Sequence, residues 1–355
     1  MVIESPKEDC SRSNLKKKLR GPRANLLVAN IVNIGADLGA MGDAVELLIG
    51  GPRATYVALF GVLCALLQVF VQYSRYVVIL KWLTLSLFTY FGTVLAVKVP
   101  WIEVVRGLLV PTFSADTSFW TTVVAILGTT ISPYLFFWQA SQEVEDIHAV
   151  PEREALVQAP EQGEDAEARI AIDTYVGMAF SNIVALAIMV TTAATLHVHG
   201  TTDIQTSRDA AEALRPVAGN FAFVLFAFGI IGTGLLAVPV LAGSASYALG
   251  EARKWPTGLA RRPLEAKAFY AAIVVATLAG IGINVSSLDP VKALFWSAVI
   301  NGVVAVPVMA MMMLISSNQT IMGRFTVRGA RRIVGWLATI VMAAAAIGMA
   351  VAAMR

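Results

Sequence analysis

Residues 128–134 read Gly128-Thr129-Thr130-Ile131-Ser132-Pro133-Tyr134 and stand in the middle of an apolar run, 119–142. Taken alone the run predicts a single helix. Pro133 forbids it from being a regular one. Proline donates no N–H to the carbonyl four residues back, that of Thr129, and its ring clashes with that carbonyl, so the helix kinks or opens there. What such an opening means depends on the solvent. In hydrocarbon a freed backbone group is tolerated only where protein or a watery cavity receives it.

The rest of the chain settles the solvent. Of 355 residues, 57% are hydrophobic and 14% charged, and the mean hydropathy is +0.69. A soluble chain carries about 25% charged residues, so water is not the main solvent of this one. A bilayer core of about 30 Å asks for about 20 apolar residues in helical form. Nine segments qualify: 24–49, 54–72, 77–97, 119–142, 171–196, 217–248, 267–286, 291–316 and 333–354. The fold class is therefore an all-α polytopic membrane protein. Residues 1–23 are polar and basic, and the apolar run behind them is too long for a signal peptide. Cys10 and Cys64 fall in a polar tail and an apolar run, which predicts neither a disulfide nor a CxxC metal site.

Lysine and arginine set the orientation. With the N-terminus in the cytoplasm, segments 1–23, 73–81, 143–170, 250–267 and 317–332 hold 7, 2, 2, 5 and 4 of the 27 basic residues. That is 20 inside against seven outside, namely Arg53, Lys98, Arg106, Arg208, Arg215, Lys292 and Arg355. The bias predicts N-terminus in and C-terminus out. The organisation expected is a basic cytoplasmic tail, 1–23, and a helical membrane domain, 24–355, carrying a cytoplasmic loop over 143–170. That loop holds nine acids, among them Glu143, Glu145 and Asp146, and reads as a solvated surface rather than a metal site. The expected location is integral to a membrane, a bacterial inner (plasma) membrane, with the lipid bilayer as partner and no nucleic acid.

Charges inside a membrane cost about 2.5–3.5 kcal/mol each on insertion scales, which makes them functional candidates. Only the first span carries acids in its body: Asp37, Asp43 and Glu46. At 100° per residue Asn30, Asn33 and Asp37 form a polar stripe, while Gly35, Gly39 and Gly42 lie opposite, where small residues let another helix approach. Asp37 either hydrogen-bonds within the bundle or lines a pathway. Asp43 and Glu46 lie nearer the outer surface and read as structural. The break at Pro133 is surrounded by hydroxyls and freed carbonyls, the groups with which discontinuous helices of secondary transporters hold ions. Asn301, before Gly302 and Pro307, is a neutral oxygen donor at similar depth in its own span. His197 and His199 read as interfacial histidines, and Met309, Met311, Met312 and Met313 as lipid or core filling.

With these residues in hand, the chain resembles the Nramp family of divalent-metal transporters, in its divergent Nramp-related branch. Residues 24–49 are similar to the family's third helix, with Asp37 at its buried aspartate. Gly128 to Gln142 resembles the sixth helix, whose metal-binding methionine and Pro-His are here Ser132, Pro133 and Tyr134. Residues 177–200 resemble the seventh helix, and 297–325 the tenth, with Asn301 at a polar glutamine and Met322-Gly323 following. The resemblance implies a LeuT-like (APC-type) fold of inverted repeats. It implies a divalent metal ion as transported substrate and no cofactor. The metal ligands would come from Thr129, Ser132 and Asn301, and Asp37, Pro133 and Tyr134 would belong to the transport pathway.

The departures shape the expectation. The family's first helix, with its metal carboxylate, has no counterpart before residue 24, so the fold is expected to be N-terminally truncated and the site incomplete. The second acid of the third helix is here Ala40, which puts proton coupling in doubt. Replacing methionine by serine exchanges a soft ligand for a hard one and favours magnesium-like ions beside manganese and iron. An organic-solute permease of the same fold and a non-transporting membrane scaffold are the competing readings. An enzyme is not expected, since no Gly-x-Ser-x-Gly, His-Glu-x-x-His or paired-aspartate motif stands at membrane depth.

Overall fold

The computed structural model describes residues 20–354 except 72, 111–112, 151, 155, 157–158, 198–206 and 285–289. The tail over 1–19 and His199 lie outside these residues, as does the His197 side chain. Every described element is helical. In chain order they are α1 (Arg20–Ile49), α2 (Arg53–Phe70), α3 (Tyr73–Leu83), α4 (Phe88–Ala96), α5 (Trp101–Leu109), α6 (Thr117–Thr130) and α7 (Pro133–Ala149). There follow α8 (Gly163–Thr192), α9 (Ser207–Arg253), α10 (Lys267–Ile283), α11 (Pro290–Ser316), α12 (Gln319–Met322) and α13 (Gly329–Ala353).

Among the described residues, seven stretches are long and apolar enough to cross a membrane: Arg53–Phe70, Val78–Ala96, Thr117–Ile147, Pro160–Thr195, Val224–Arg253, Val291–Ser316 and Gly329–Ala353. Each coincides with a segment expected from the sequence. The remaining two expected segments are also helical. The first lies in α1, where Asn30, Asn33, Asp37, Asp43 and Glu46 lower the hydropathy. The seventh is α10, 17 residues, about 25 Å at 1.5 Å per residue and so short of a full bilayer core.

Three features differ from expectation. The helix over 77–97 tightens into a 3₁₀ turn at Thr84–Leu87, where the Thr84 hydroxyl donates to the Lys81 carbonyl (2.6 Å). The connection after 97 contains α5, whose Trp101, Ile102, Val105, Leu108 and Leu109 share one exposed face with Glu103 and Arg106 opposite, the pattern of an interfacial helix. Third, the acidic stretch 143–170 is largely helix: α7 continues to Ala149 and α8 starts at Gly163. Glu145 is buried, at 4% exposure, and is no solvated surface acid. It has found three donors that sequence spacing does not announce.

The chain forms two compact units. In the larger, spanning 31–114 and 137–295, α1, α2, α4, α9 and α10 pack through glycines. A Cβ on Gly35 would meet the Gly280 carbonyl oxygen and Ile283 at 3.0 Å, and one on Gly61 would meet Ile281 and Leu38. The expected small-residue face of α1 thus rests on α2 and α10. Gly50 (φ +72°) and Gly51 (φ +97°) turn the chain between α1 and α2 in a conformation other residues resist. In the smaller unit, which holds the chain up to Asn30 together with 115–136 and 296–355, α6 packs on α13. The Thr117 hydroxyl donates to the Ala352 carbonyl (2.9 Å) and the ring of Trp120 covers Gly348.

Candidate metal-transport site

The break in the fourth span is where the sequence places it. α6 ends at Thr130 and α7 begins at Pro133, with Ile131 off the helical conformation at φ −113°, ψ 64°. The Ile131 amide still donates to Leu127 (2.8 Å), the last regular bond before the break. Pro133 has no N–H for the Thr129 carbonyl, and the Ser132 hydroxyl takes over. Its Oγ, on a residue only 3% exposed, donates toward the carbonyls of Gly128 (2.8 Å) and Thr129 (3.0 Å). The Thr129 carbonyl expected to be free is therefore partly satisfied, with one lone pair left for another partner. The Thr129 hydroxyl is turned away, donating to Ala125 (3.0 Å). Pro133 is buried and Tyr134 half-buried.

Asn301 belongs to the same unit. It is 3% exposed, and its Oδ1 has no hydrogen-bond partner among the described residues. α6 and α11 cross at two glycines beside these residues. A Cβ on Gly128 would run into the carbonyl oxygen of Ala298 and would lie 2.5 Å from the Gly302 amide nitrogen. One on Gly302 would lie 2.6 Å from the Val124 carbonyl oxygen. The two backbones are in direct contact, and Thr129 and Asn301 are the immediate chain neighbours of the contact residues. A buried carbonyl oxygen without a partner carries an uncompensated desolvation cost.

Asp37 lies in the other unit. It is half-buried at the middle of α1, without a hydrogen bond or ion pair among the described residues. Asp43, by contrast, is an ion-pair residue: its carboxylate meets the Arg53 guanidinium at 2.5 Å. Arg53 also donates to Asn284 Oδ1 (3.0 Å), whose amide nitrogen donates to the carbonyls of Gly35 (2.7 Å) and Gly280 (3.1 Å). Sequence reasoning misses Asn284 and also Gln68. Gln68 is buried in α2, donates to the Pro239 carbonyl (2.7 Å), and has no partner for its own Oε1 among the described residues. A lone amide inside an apolar run was the available signal for it. Among the described residues no three histidine, cysteine or acidic side chains gather into a metal cluster.

A family model described as natural resistance-associated macrophage protein-like, Nramp, matches residues 10–352. The chain belongs to the Nramp family. The match runs through α1, the break between α6 and α7, and α11, and the helical fold is that of a polytopic membrane protein of this LeuT-like family. Nramp membership carries with it divalent metal cation transport, with the metal as substrate rather than cofactor. A comparison with curated proteins finds no significant match.

Proposed function

We propose that this Nramp-family chain moves a divalent cation by alternating access, holding it at the break between α6 and α7. The observation that supports this reading best is the buried Oδ1 of Asn301, which has no hydrogen-bond partner among the described residues, on a helix whose backbone touches α6 at Gly128. In the proposed ligand set the Thr129 carbonyl offers its spare lone pair, Ser132 its hydroxyl oxygen and Asn301 its amide oxygen. Pro133 keeps the helix open between them. Asp37 and Tyr134 belong to the pathway. All three ligands are hard neutral oxygens, which suit manganese and magnesium and give no preference to softer ions.

The test is manganese uptake into proteoliposomes holding the full chain, with magnesium as competitor. Wild-type protein takes up manganese, and excess magnesium inhibits it. Asn301→Leu raises the KM for manganese by about tenfold or more, the equivalent of about 1.4 kcal/mol of lost binding. Uptake by Asn301→Leu indistinguishable from the parent would remove Asn301 from the site. A parent that transports no divalent metal would remove the reading altogether.

A further inference from the structure

Glu145 stands twelve residues beyond Pro133 on α7, about 18 Å along the axis from the break. Its carboxylate is buried, at 4% exposure, and accepts three hydrogen bonds. The Tyr247 hydroxyl on α9 and the Leu259 amide donate to Oε1, both at 2.7 Å, and the Ala260 amide donates to Oε2 at 3.1 Å. Leu259 and Ala260 belong to the turn between α9 and α10. Consecutive amides aimed at one anion form a strong, charge-assisted set. The turn is shaped for the approach. Gly258 has φ +141°, and a Cβ there would lie 2.7 Å from Glu145 Oε1. From the other side the Tyr270 hydroxyl donates to the carbonyls of Leu259 (3.2 Å) and Arg261 (2.8 Å).

Other contacts fix α7 along the same stretch. Trp138 packs on Gly243 and stands edge-on to Tyr247, with ring centroids 6.3 Å apart. Arg169 of α8 makes a forked pair with Glu143 (2.7 and 3.4 Å). Ser141 and Glu145 also line a cavity of about 270 Å³ with Tyr247, Glu251, Arg261 and Glu265, so the anchor borders open volume rather than solid packing.

We infer that Glu145 is a positioning residue for transport: it pins the far end of the helix behind the break to the α9–α10 turn, so that movement concentrates at Ile131 and Ser132. This role rests on the metal-transport reading. The anchor itself does not.

The test pairs hydrogen exchange of the purified full chain with manganese uptake. Glu145→Gln places an amide donor against donors and leaves buried groups unsatisfied. Exchange at the Leu259 and Ala260 amides rises by about tenfold or more, while α10 stays as protected as in the parent. The maximal uptake rate falls by about tenfold, and the KM for manganese stays within about twofold, because no ion ligand is touched. Gly258→Ala, which crowds the carboxylate, reproduces this pattern, and combining it with Glu145→Gln adds nothing further. Should Glu145→Gln fail to fold, Tyr247→Phe, which keeps the carboxylate and both amides, shows a smaller rise in exchange and a smaller loss of rate. Unchanged exchange at the turn overturns the anchor. Raised exchange with an unchanged rate overturns the positioning role, and a KM that rises in step with the loss places Glu145 among the ion's own contacts. A parent that moves no metal overturns the transport reading alone, since exchange at the turn still reports on the anchor.

Discussion

Ser132 does two things with one hydroxyl. Its proton caps the carbonyls of Gly128 and Thr129, and its lone pairs stay available as a hard ligand. A methionine at this position would supply a thioether and remove the cap. In proteoliposomes Ser132→Met is therefore expected to lessen magnesium's inhibition of manganese uptake. If excess magnesium leaves uptake untouched in both proteins, position 132 does not set selectivity. Asp37 poses the opposite case, an acid midway along α1 whose charge no hydrogen bond or ion pair holds among the described residues. Insertion scales put the cost of such a charge at about 2.5–3.5 kcal/mol. Asp37→Asn should leave the melting temperature unchanged or higher while lowering transport. A variant that unfolds would show that the carboxylate is structural; one that transports like the parent would show that it is incidental.

At the scale of elements, the break in α6 and α7 comes from one missing N–H. Pro133→Ala restores a donor for the Thr129 carbonyl and removes a residue worth about 3 kcal/mol against a helix interior. The continuous helix should be at least as stable on heating, and transport should fall sharply, since the open segment is the proposed ion site. Retained transport would mean that the opening serves packing only. The crossing of α6 on α11 is the second constraint. Gly128→Ala drives a methyl into the Ala298 carbonyl, and overpacking of this kind costs about 1–3 kcal/mol. A thermal melt lowered by several degrees is the expected readout. An unshifted melt would mean that the two backbones separate easily.

The molecule as a whole is expected to lie with its N-terminus in the cytoplasm, on the strength of 20 basic residues against seven. Lys98 and Arg328 belong to opposite sets and are both exposed. With the native cysteines replaced, cysteines introduced at these two positions should react with an impermeant reagent from opposite sides of intact cells. Reaction from one side only would sink the arrangement of nine spans. The charged groups differ by role: Asp43 and Glu145 are held by partners, and Asp37 has no hydrogen bond or ion pair among the described residues.

The sequence by itself determined the membrane class, the helical segments, the small-residue face of α1 and the position of the break. Each of these follows from local chemistry: the length of an apolar run, the 3.6-residue period, or an imino acid without a proton. Tertiary structure alone decided which groups those faces meet. Glu145 looked like one of nine loop acids, yet its partner Tyr247 stands 102 residues away. Arg53 looked like an ordinary loop cation, and Asn284, which it holds, lies 231 residues on. The contact of Gly128 with Gly302 likewise joins two spans far apart in the chain. Periodicity tells which side of a helix avoids lipid. It does not say what stands opposite, and a buried carboxylate or amide takes its role from the donors that folding brings to it.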